Sequence, residues 1–196
     1  DVLLVLHRRH EQVEGDPALE EAAALLCARD TDAVFDDEAR HAARVVDGQV
    51  QGLLRRAATA AEARAALVHA GAPLLTQSRA THAGVVEGST PAGEACAALV
   101  AVRRLVDAAA PAAAVTPSGA LTLSVAVPSD RQATLFLLRP DGFVDKKALA
   151  VAASRTTLNV PSTAGEGRYV VELIVDRVGA PPDPEVALLW PFTVGT

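Results

Sequence analysis

GEGRYVVELIVDRVGAPPDPEVALLWPFTVGT, the stretch Gly165–Thr196, decides the fold class predicted for the second half of this chain. Apolar residues occupy alternate positions from Arg168 to Asp176, and again from Glu185 to Val194 after a proline-rich turn. Side chains on a strand point to opposite faces with a period of two, so each segment predicts a strand with one apolar face. The stretch therefore predicts two strands joined by a rigid turn.

The preceding residues carry the same alternation. Apolar residues recur at every second position in Leu121–Val127, and Ala133–Leu138 forms a second apolar run that ends at a Pro-Asp-Gly turn. Further strands fit Lys147–Ala152 and Thr156–Val160. About six strands at a spacing of ~10 residues indicate a sandwich rather than a parallel sheet. The sequence thus predicts an all-β, Ig-like β-sandwich over residues 118–196.

Two aromatic residues of this half have predicted structural roles. Tyr169 fits either a tyrosine corner, in which its hydroxyl bonds a nearby backbone group, or an ordinary strand aromatic. Trp190 is expected to fill the sandwich core rather than to bind a ligand. Neither residue is predicted to take part in catalysis.

The first half is alanine-rich and has helical periodicity. Helix-start signals are found at Asp16-Pro17 and in the capping box Thr59–Glu62. The predicted helices run from Val2 to near Gly15, from Pro17 through Cys27, from Asp36 or Asp37 to a stop at Gly48, and from Thr59 to Gly71. Strands are predicted over His82–Glu87 and Ala97–Leu105, whereas Leu53 and Leu54 lie in an element that the pattern does not type.

These observations give the predicted domain organisation. An α+β N-terminal domain, with helices and a small antiparallel sheet, is expected over residues 1–108. The proline- and alanine-rich segment DAAAPAAAVTPS, Asp107–Ser118, is the best linker candidate, and the linker is placed at residues 109–117. The Ig-like sandwich follows.

Composition excludes some partners. The chain has 196 residues and a net charge of −6, which argues against a nucleic-acid partner, because phosphates require a basic surface. It carries no apolar run near the ~20 residues that a membrane-spanning helix needs. Methionine is absent, and we expect the chain to be part of a longer exported protein that acts outside the cell or in the periplasm.

The two cysteines, Cys27 and Cys96, have no metal-binding spacing. In an oxidising compartment they could form a disulfide that ties a helix to a strand. Closing a loop of this length would stabilise the fold by roughly 4 kcal/mol on the chain-entropy model. Two buried thiols are the alternative interpretation.

Several short motifs resemble the CAP superfamily, the αβα domains of cysteine-rich secretory and pathogenesis-related proteins. HRRHEQVEGDPALEEAAALLCAR, residues 7–29, resembles the first helix, loop and second helix of that family. HAGAPLLTQSRATHAGVV, residues 69–86, resembles its region around a Thr-His-Val-Gly motif. VALLWPFTVG, residues 186–195, resembles the end of a β-sandwich that, with a decayed CAP-like segment, precedes an intact CAP domain in bacterial, notably myxobacterial, multi-module proteins.

The sequence departs from the family at its functional residues. Where the family has a Gly-Glu-Asn stretch, this chain has Val46–Val50, without glutamate or asparagine. The first histidine motif is replaced by Asp30–Asp37, and His69 lies one position from where the second histidine would align. The resemblance therefore implies a degenerate domain, and no site residue is transferred from it.

Two other clusters have the residue types of a metal site. His7 and His10 are three apart on one predicted helix and could bind zinc with a third ligand from elsewhere, or could form a solvated polar face. An acidic cluster could bind calcium but lacks the EF-hand order, so helix capping and solvation are expected. Its members are Asp30, Asp32, Asp36, Asp37 and Glu38.

The expected function is that of a non-catalytic interaction or structural module whose partner is another protein or a downstream domain of the same polypeptide. No catalytic, cofactor-binding or metal-binding residue is predicted. The alternative is a hydrolase that uses His69 or His82 with carboxylates of the acidic cluster, which would have to converge in one cleft. A sugar- or lipid-binding module is a third hypothesis, for which six aromatic residues offer little stacking surface.

Overall fold

The computed structural model describes residues 13–29, 35–149, 152–159 and 165–195. The chain divides into two compact units. The first comprises Asp1–Val45 with Gln49–Arg103, and the second comprises Val46–Gly48 with Arg104–Thr196. Because residues 46–48 belong to the second unit, neither unit is a single continuous segment of sequence.

The described residues form three helices and twelve strands. The helices are α1 (Pro17–Cys27), α2 (Asp37–Ala42) and α3 (Ala60–Gln77). The strands of the first unit are β1 (Glu14–Gly15), β2 (Val50–Ala57), β3 (His82–Ser89) and β4 (Ala95–Val102). Those of the second unit are β5 (Asp107–Ala109), β6 (Ala114–Val115), β7 (Ala120–Val127), β8 (Arg131–Leu138), β9 (Val144–Leu149), β10 (Ala152–Asn159), β11 (Gly167–Arg177) and β12 (Glu185–Val194).

The first unit is organised around a four-stranded sheet in the order β1-β3-β4-β2. The central strand β4 pairs antiparallel with both β2 and β3, and β1 pairs parallel with β3. Successive residues of β4 enter two different hydrophobic clusters: Ala98 and Val100 pack with Leu26 of α1, whereas Leu99 packs with Leu67 of α3. Since neighbouring side chains on a strand point to opposite faces, the sheet is covered by one helix on each face.

The predicted fold class, an α+β N-terminal domain before an all-β Ig-like sandwich, is wrong, because the described residues are mostly strand, in three sheets, with few helices. Glu14 and Gly15 form a strand instead of the end of a helix, and the untyped segment is the eight-residue strand β2. The third predicted helix ends early, at Ala42. These strands exist because distant segments pair with them, which local periodicity does not show. Residues 1–12 lie outside the described residues.

The helix starts follow the predicted capping chemistry. Asp16 accepts a hydrogen bond from Ala18 N at 2.8 Å, with Pro17 at the first helical position. Thr59 and Glu62 form the reciprocal capping box that opens α3. Helix α3 then continues past the predicted stop, since Gly71 is buried within it and Pro73 is accommodated before it ends at Gln77. The predictions of helix starts are confirmed at both positions.

Within its described residues, the second unit consists of strands and turns. Its two sheets have the orders β10-β7-β5 and β6-β12-β11-β8-β9, and apolar residues of both sheets form one hydrophobic cluster. The largest fully buried side chains of this core are Trp190, Tyr169 and Phe192. The second unit therefore has the two stacked sheets of a β-sandwich.

Two short segments pair with the outer edge of β12. Leu189 N donates to Val46 O at 2.9 Å and Gly48 N donates to Ala187 O at 3.2 Å, whereas β6 pairs parallel with the other end of β12. Strand β6 lies inside the segment 109–117 that was assigned to a linker. These contacts satisfy edge groups that would otherwise be open to another chain.

An ion pair fixes the first of these segments. The Arg104 guanidinium donates from Nε and Nη2 to the two carboxylate oxygens of Asp47, both at 3.1 Å. The Asp47 side chain is almost completely buried, whereas that of Arg104 is partly exposed. A two-point pair of this kind combines charge with fixed geometry. The pair therefore joins Asp47, in the short segment of the second unit, to Arg104, the first residue of its long segment.

Candidate functional site

Cys27 and Cys96 are joined by a disulfide with a Cα–Cα distance of 5.9 Å. Cys27 is the last residue of α1 and Cys96 lies near the start of the central strand β4. Both residues belong to the cluster that packs α1 against the sheet, and they are only 4% and 1% exposed. The bond therefore fastens a helix to the sheet inside the core of the first unit.

His82 is the centre of a polar cluster that has the composition of a catalytic site. Strand β1 pairs Glu14 with His82, and His82 Nε2 lies 3.6 Å from Glu14 Oε2. On the other side of the ring, His82 Nδ1 is 2.9 Å from Thr81 Oγ1. Backbone pairing sets this arrangement, because Thr81 N donates to Val102 O at 2.9 Å at the start of β3.

A hydroxyl, an imidazole and a carboxylate in sequence can activate an oxygen nucleophile, since the imidazole takes the proton and the carboxylate orients the ring. The same three groups can also fasten a short strand to a sheet. Here Thr81 Oγ1 also lies 3.5 Å from Val102 O, and the carboxylate of Glu14 is 80% exposed. The contacts of Thr81 and Glu14 thus favour a structural role, in which these side chains hold β1 against β3.

The carboxylate next to His82 is not one of the predicted ones. Asp36 instead caps α2, since its Oδ1 accepts from Ala39 N at 2.9 Å, and its other oxygen pairs with Arg29 at 2.6 Å. This pairing with Arg29 lowers the pKa of Asp36. A carboxyl whose folded-state pKa is lowered stabilises the fold above its ordinary pKa, and this contribution is lost as the pH falls through the lowered value.

The remaining predicted groups are not brought to His82. His69 lies on the exposed side of α3, and Asp37 and Glu38 occupy the first turn of α2. His7, His10, Asp30 and Asp32 fall outside the described residues. Across the ranges that the structure describes, no group of three or more histidine, cysteine, aspartate or glutamate side chains could hold a metal ion.

A groove of about 320 Å³ lies in the first unit between α3 and β2. Its lining combines amide and hydroxyl groups with small apolar side chains and includes neither His82 nor the cysteines: Gln51, Ala70, Pro73, Leu74, Gln77 and Ser78. The groove and the histidine cluster are therefore separate features.

Tyr169 and Trp190 both lie in the core of the second unit. Trp190 is 1% exposed and donates from Nε1 to Ala112 O at 3.0 Å. The Tyr169 ring stacks on Phe192 with a centroid distance of 5.4 Å, and its hydroxyl donates to Gly165 O at 2.7 Å. Burial raises the pKa of the Tyr169 hydroxyl. Both aromatic rings are occupied by packing within the sandwich.

We expect Tyr169→Phe to destabilise the second unit by about 1 kcal/mol, because it removes one intramolecular hydrogen bond and keeps the stacked ring. Denaturant unfolding followed by tryptophan fluorescence would measure this, since Trp190, the chain's single tryptophan, reports on the same core. An unchanged midpoint would show that the bond from Tyr169 to Gly165 contributes nothing to stability.

Among the helices of the described part, none is long and apolar enough to cross a membrane. Comparison with known proteins finds that no family model and no curated protein matches this sequence.

Proposed function

We propose that this chain is a non-catalytic interaction or structural module that acts in an extracellular or periplasmic compartment as part of a larger exported protein. The observation that carries this proposal is the disulfide between Cys27 and Cys96. Disulfides persist in oxidising compartments and are rare in the reducing cytosol. A disulfide inside a hydrophobic core, as here, indicates a structural rather than a catalytic role, because reactive cysteines need an accessible sulfur.

The architecture supports the part of the proposal that concerns a module. The second unit is a small sandwich in which Trp190, Tyr169 and Phe192 are buried in its own core. Folds of this kind carry their functions on loops and sheet faces. The short motifs of the first unit support the further proposal that it is a decayed relative of the CAP superfamily, placed before another domain.

Mass spectrometry of the natural protein tests the proposed compartment. We expect neither Cys27 nor Cys96 to react with iodoacetamide under denaturing conditions until a reductant is added, and then one carbamidomethyl group on each. The mass of the same sample would show whether a longer chain carries this segment. Alkylation of Cys27 and Cys96 without reductant would contradict the proposal.

One observation favours a second candidate, a hydrolase that uses Thr81, His82 and Glu14. The distances of 2.9 Å and 3.6 Å around the His82 ring are those of a nucleophile, a base and an orienting acid before substrate binds.

We expect His82→Gln to leave hydrolysis of p-nitrophenyl acetate at the wild-type level, since we assign His82 a structural role between β1 and β3. The matched control is His69→Gln, which makes the same change at an exposed histidine of α3. A wild-type rate above the uncatalysed one that His82→Gln lowers by about 100-fold, and His69→Gln does not, would establish the hydrolase instead.

A further inference from the structure

The outer face of the five-stranded sheet in the second unit carries a cluster of large apolar side chains. We define the outer face by the side chains of β9, β8 and β11 that point away from the sandwich core. Its large apolar members are Phe136, Leu138, Val144, Val170 and Ile174, its small or polar members are Gln132, Thr134 and Ala148, and its charged members are Lys146, Arg168, Glu172 and Asp176. Val144 is 55% exposed and the other four apolar residues are half-buried.

This face differs from that of the second sheet. In β7 the residues between the core positions are small or polar, such as Thr122 and Ser124. A sheet with one face in water normally shows this alternation, whereas strands that are apolar on both sides belong to sheets that are covered on both sides. Four outward positions break this alternation, and the part of the face that they form is expected to be covered: Phe136 and Leu138 of β8, and Val170 and Ile174 of β11.

Pairing register places the outer-face residues in rows across the three strands. One row is Val144–Leu138–Val170, and the next is Lys146–Phe136–Glu172. Strand β8 is therefore the middle one of these three strands, and β12 continues the sheet beyond β11. The Lys146 ammonium lies 5.7 Å from the centroid of the Phe136 ring. Neither a hydrogen bond nor an ion pair joins the Glu172 carboxylate to any described residue.

We propose that two copies of this chain associate through this outer face, about a two-fold axis that runs along β8. Such an axis exchanges the β9 side of one copy with the β11 side of the other, because β8 lies midway between them. It places Lys146 of each copy opposite Glu172 of its partner, Phe136 opposite Phe136, and Val144 opposite Val170. A two-fold interface requires this kind of self-complementary surface.

The charges specify a second copy rather than another protein. A half-buried carboxylate in an apolar face favours a cation as its partner, and the same row carries one at the mirror position across β8. The area of the outer face determines how strong the dimer can be. Strand spacing and rise give a face of about 300 Å², well below the ~800 Å² that a standard stable interface takes from each partner. The dimer is therefore weak and depends on protein concentration.

Charge reversal tests the geometry. In sedimentation velocity from about 1 µM to about 1 mM protein, the wild type is expected to shift from monomer to dimer. Lys146→Glu and Glu172→Lys should each weaken self-association by about tenfold or more, because each puts like charges opposite one another. An equimolar mixture of these two variants should associate as well as the wild type, since both pairs then have opposite charges.

Lys147→Glu is the matched control, because it makes the same charge change on the neighbouring β9 residue, whose side chain points to the other side of the sheet. It should dimerise as the wild type does. Unfolding curves identical to the wild type would establish that the reversed variants fold, and the double variant Lys146→Glu with Glu172→Lys provides a second test that should restore the dimer.

A wild type that stays monomeric, single variants that dimerise normally, or a mixture no better than its components would each overturn this inference. The inference rests on the proposed function as an interaction module and names its surface and its partner. Different results would contradict the two proposals. A protein that stays monomeric but has a closed disulfide contradicts only the dimer, and a protein with free thiols contradicts only the exported module.

Discussion

Gly84→Ala is expected to destabilise the first unit by about 3 kcal/mol or more. A Cβ added at Gly84 would lie 2.1 Å from the backbone carbon of Leu19 and 2.1 Å from the backbone nitrogen of Glu20. Both atoms belong to the first turns of α1, which cannot rotate away as a flexible side chain would. Overpacking of a core typically costs 1–3 kcal/mol, and a backbone contact belongs at the upper end of that range or above it.

Thermal unfolding would measure this effect, with an expected drop in midpoint of about 10 °C or more. The matched control is Gly88→Ala, four residues further along the same strand, where a Cβ would make an ordinary 3.9 Å contact with Cys96 Sγ. Because the chain has two units, each transition must be followed by its own probe. If Gly84→Ala melts as Gly88→Ala does, α1 does not pack on β3 at this distance.

Reduction of the disulfide is expected to destabilise the first unit by about 4 kcal/mol. The bond closes a loop with a sequence separation of 69, and the chain-entropy model gives a loss of this size when such a loop opens. Denaturant unfolding with and without a phosphine reductant would measure the difference. Both cysteines lie in the first unit, so the tryptophan transition of the second unit provides an internal control that should not move.

The double variant Cys27→Ala with Cys96→Ala separates the loss of the bond from the effect of the reductant. Its free energy of unfolding should be equal to or lower than that of the reduced wild type, since the substitutions also remove two buried sulfur atoms. A reduced protein that unfolds at the same denaturant concentration as the oxidised one would contradict a stabilising role for the bond.

The strands of the second half were the most predictable part of the fold. Arg168–Asp176 and Glu185–Val194 were expected as strands, and the structure has β11 and β12 over nearly the same residues. They were visible because one face of each strand enters a core, which requires a period of two over many residues. Strand β9 begins at Val144, three residues before the predicted start, since nearly all of it is exposed and burial does not shape its sequence.

The sequence did not reveal the strands that depend on distant partners. Glu14 and Gly15 become a strand only because β3 lies beside them, and β2 exists because β4 offers it eight paired positions. The pairing of Glu14 with His82 was missed for the same reason, since Glu14 had been placed in a helix. A local signal for this contact was lacking, apart from the threonine that precedes His82.

The segment Val46–Gly48 limits how this pair of units can be inherited. Three residues encoded within the first unit complete the edge of β12, and Asp47 supplies the carboxylate for Arg104. A gene fragment that begins at residue 104 would encode a sandwich without that edge and with an arginine that has lost this carboxylate. Genetic exchange by simple cutting and joining at the boundary would therefore yield a defective product, and the two units are expected to be shuffled, duplicated or lost together.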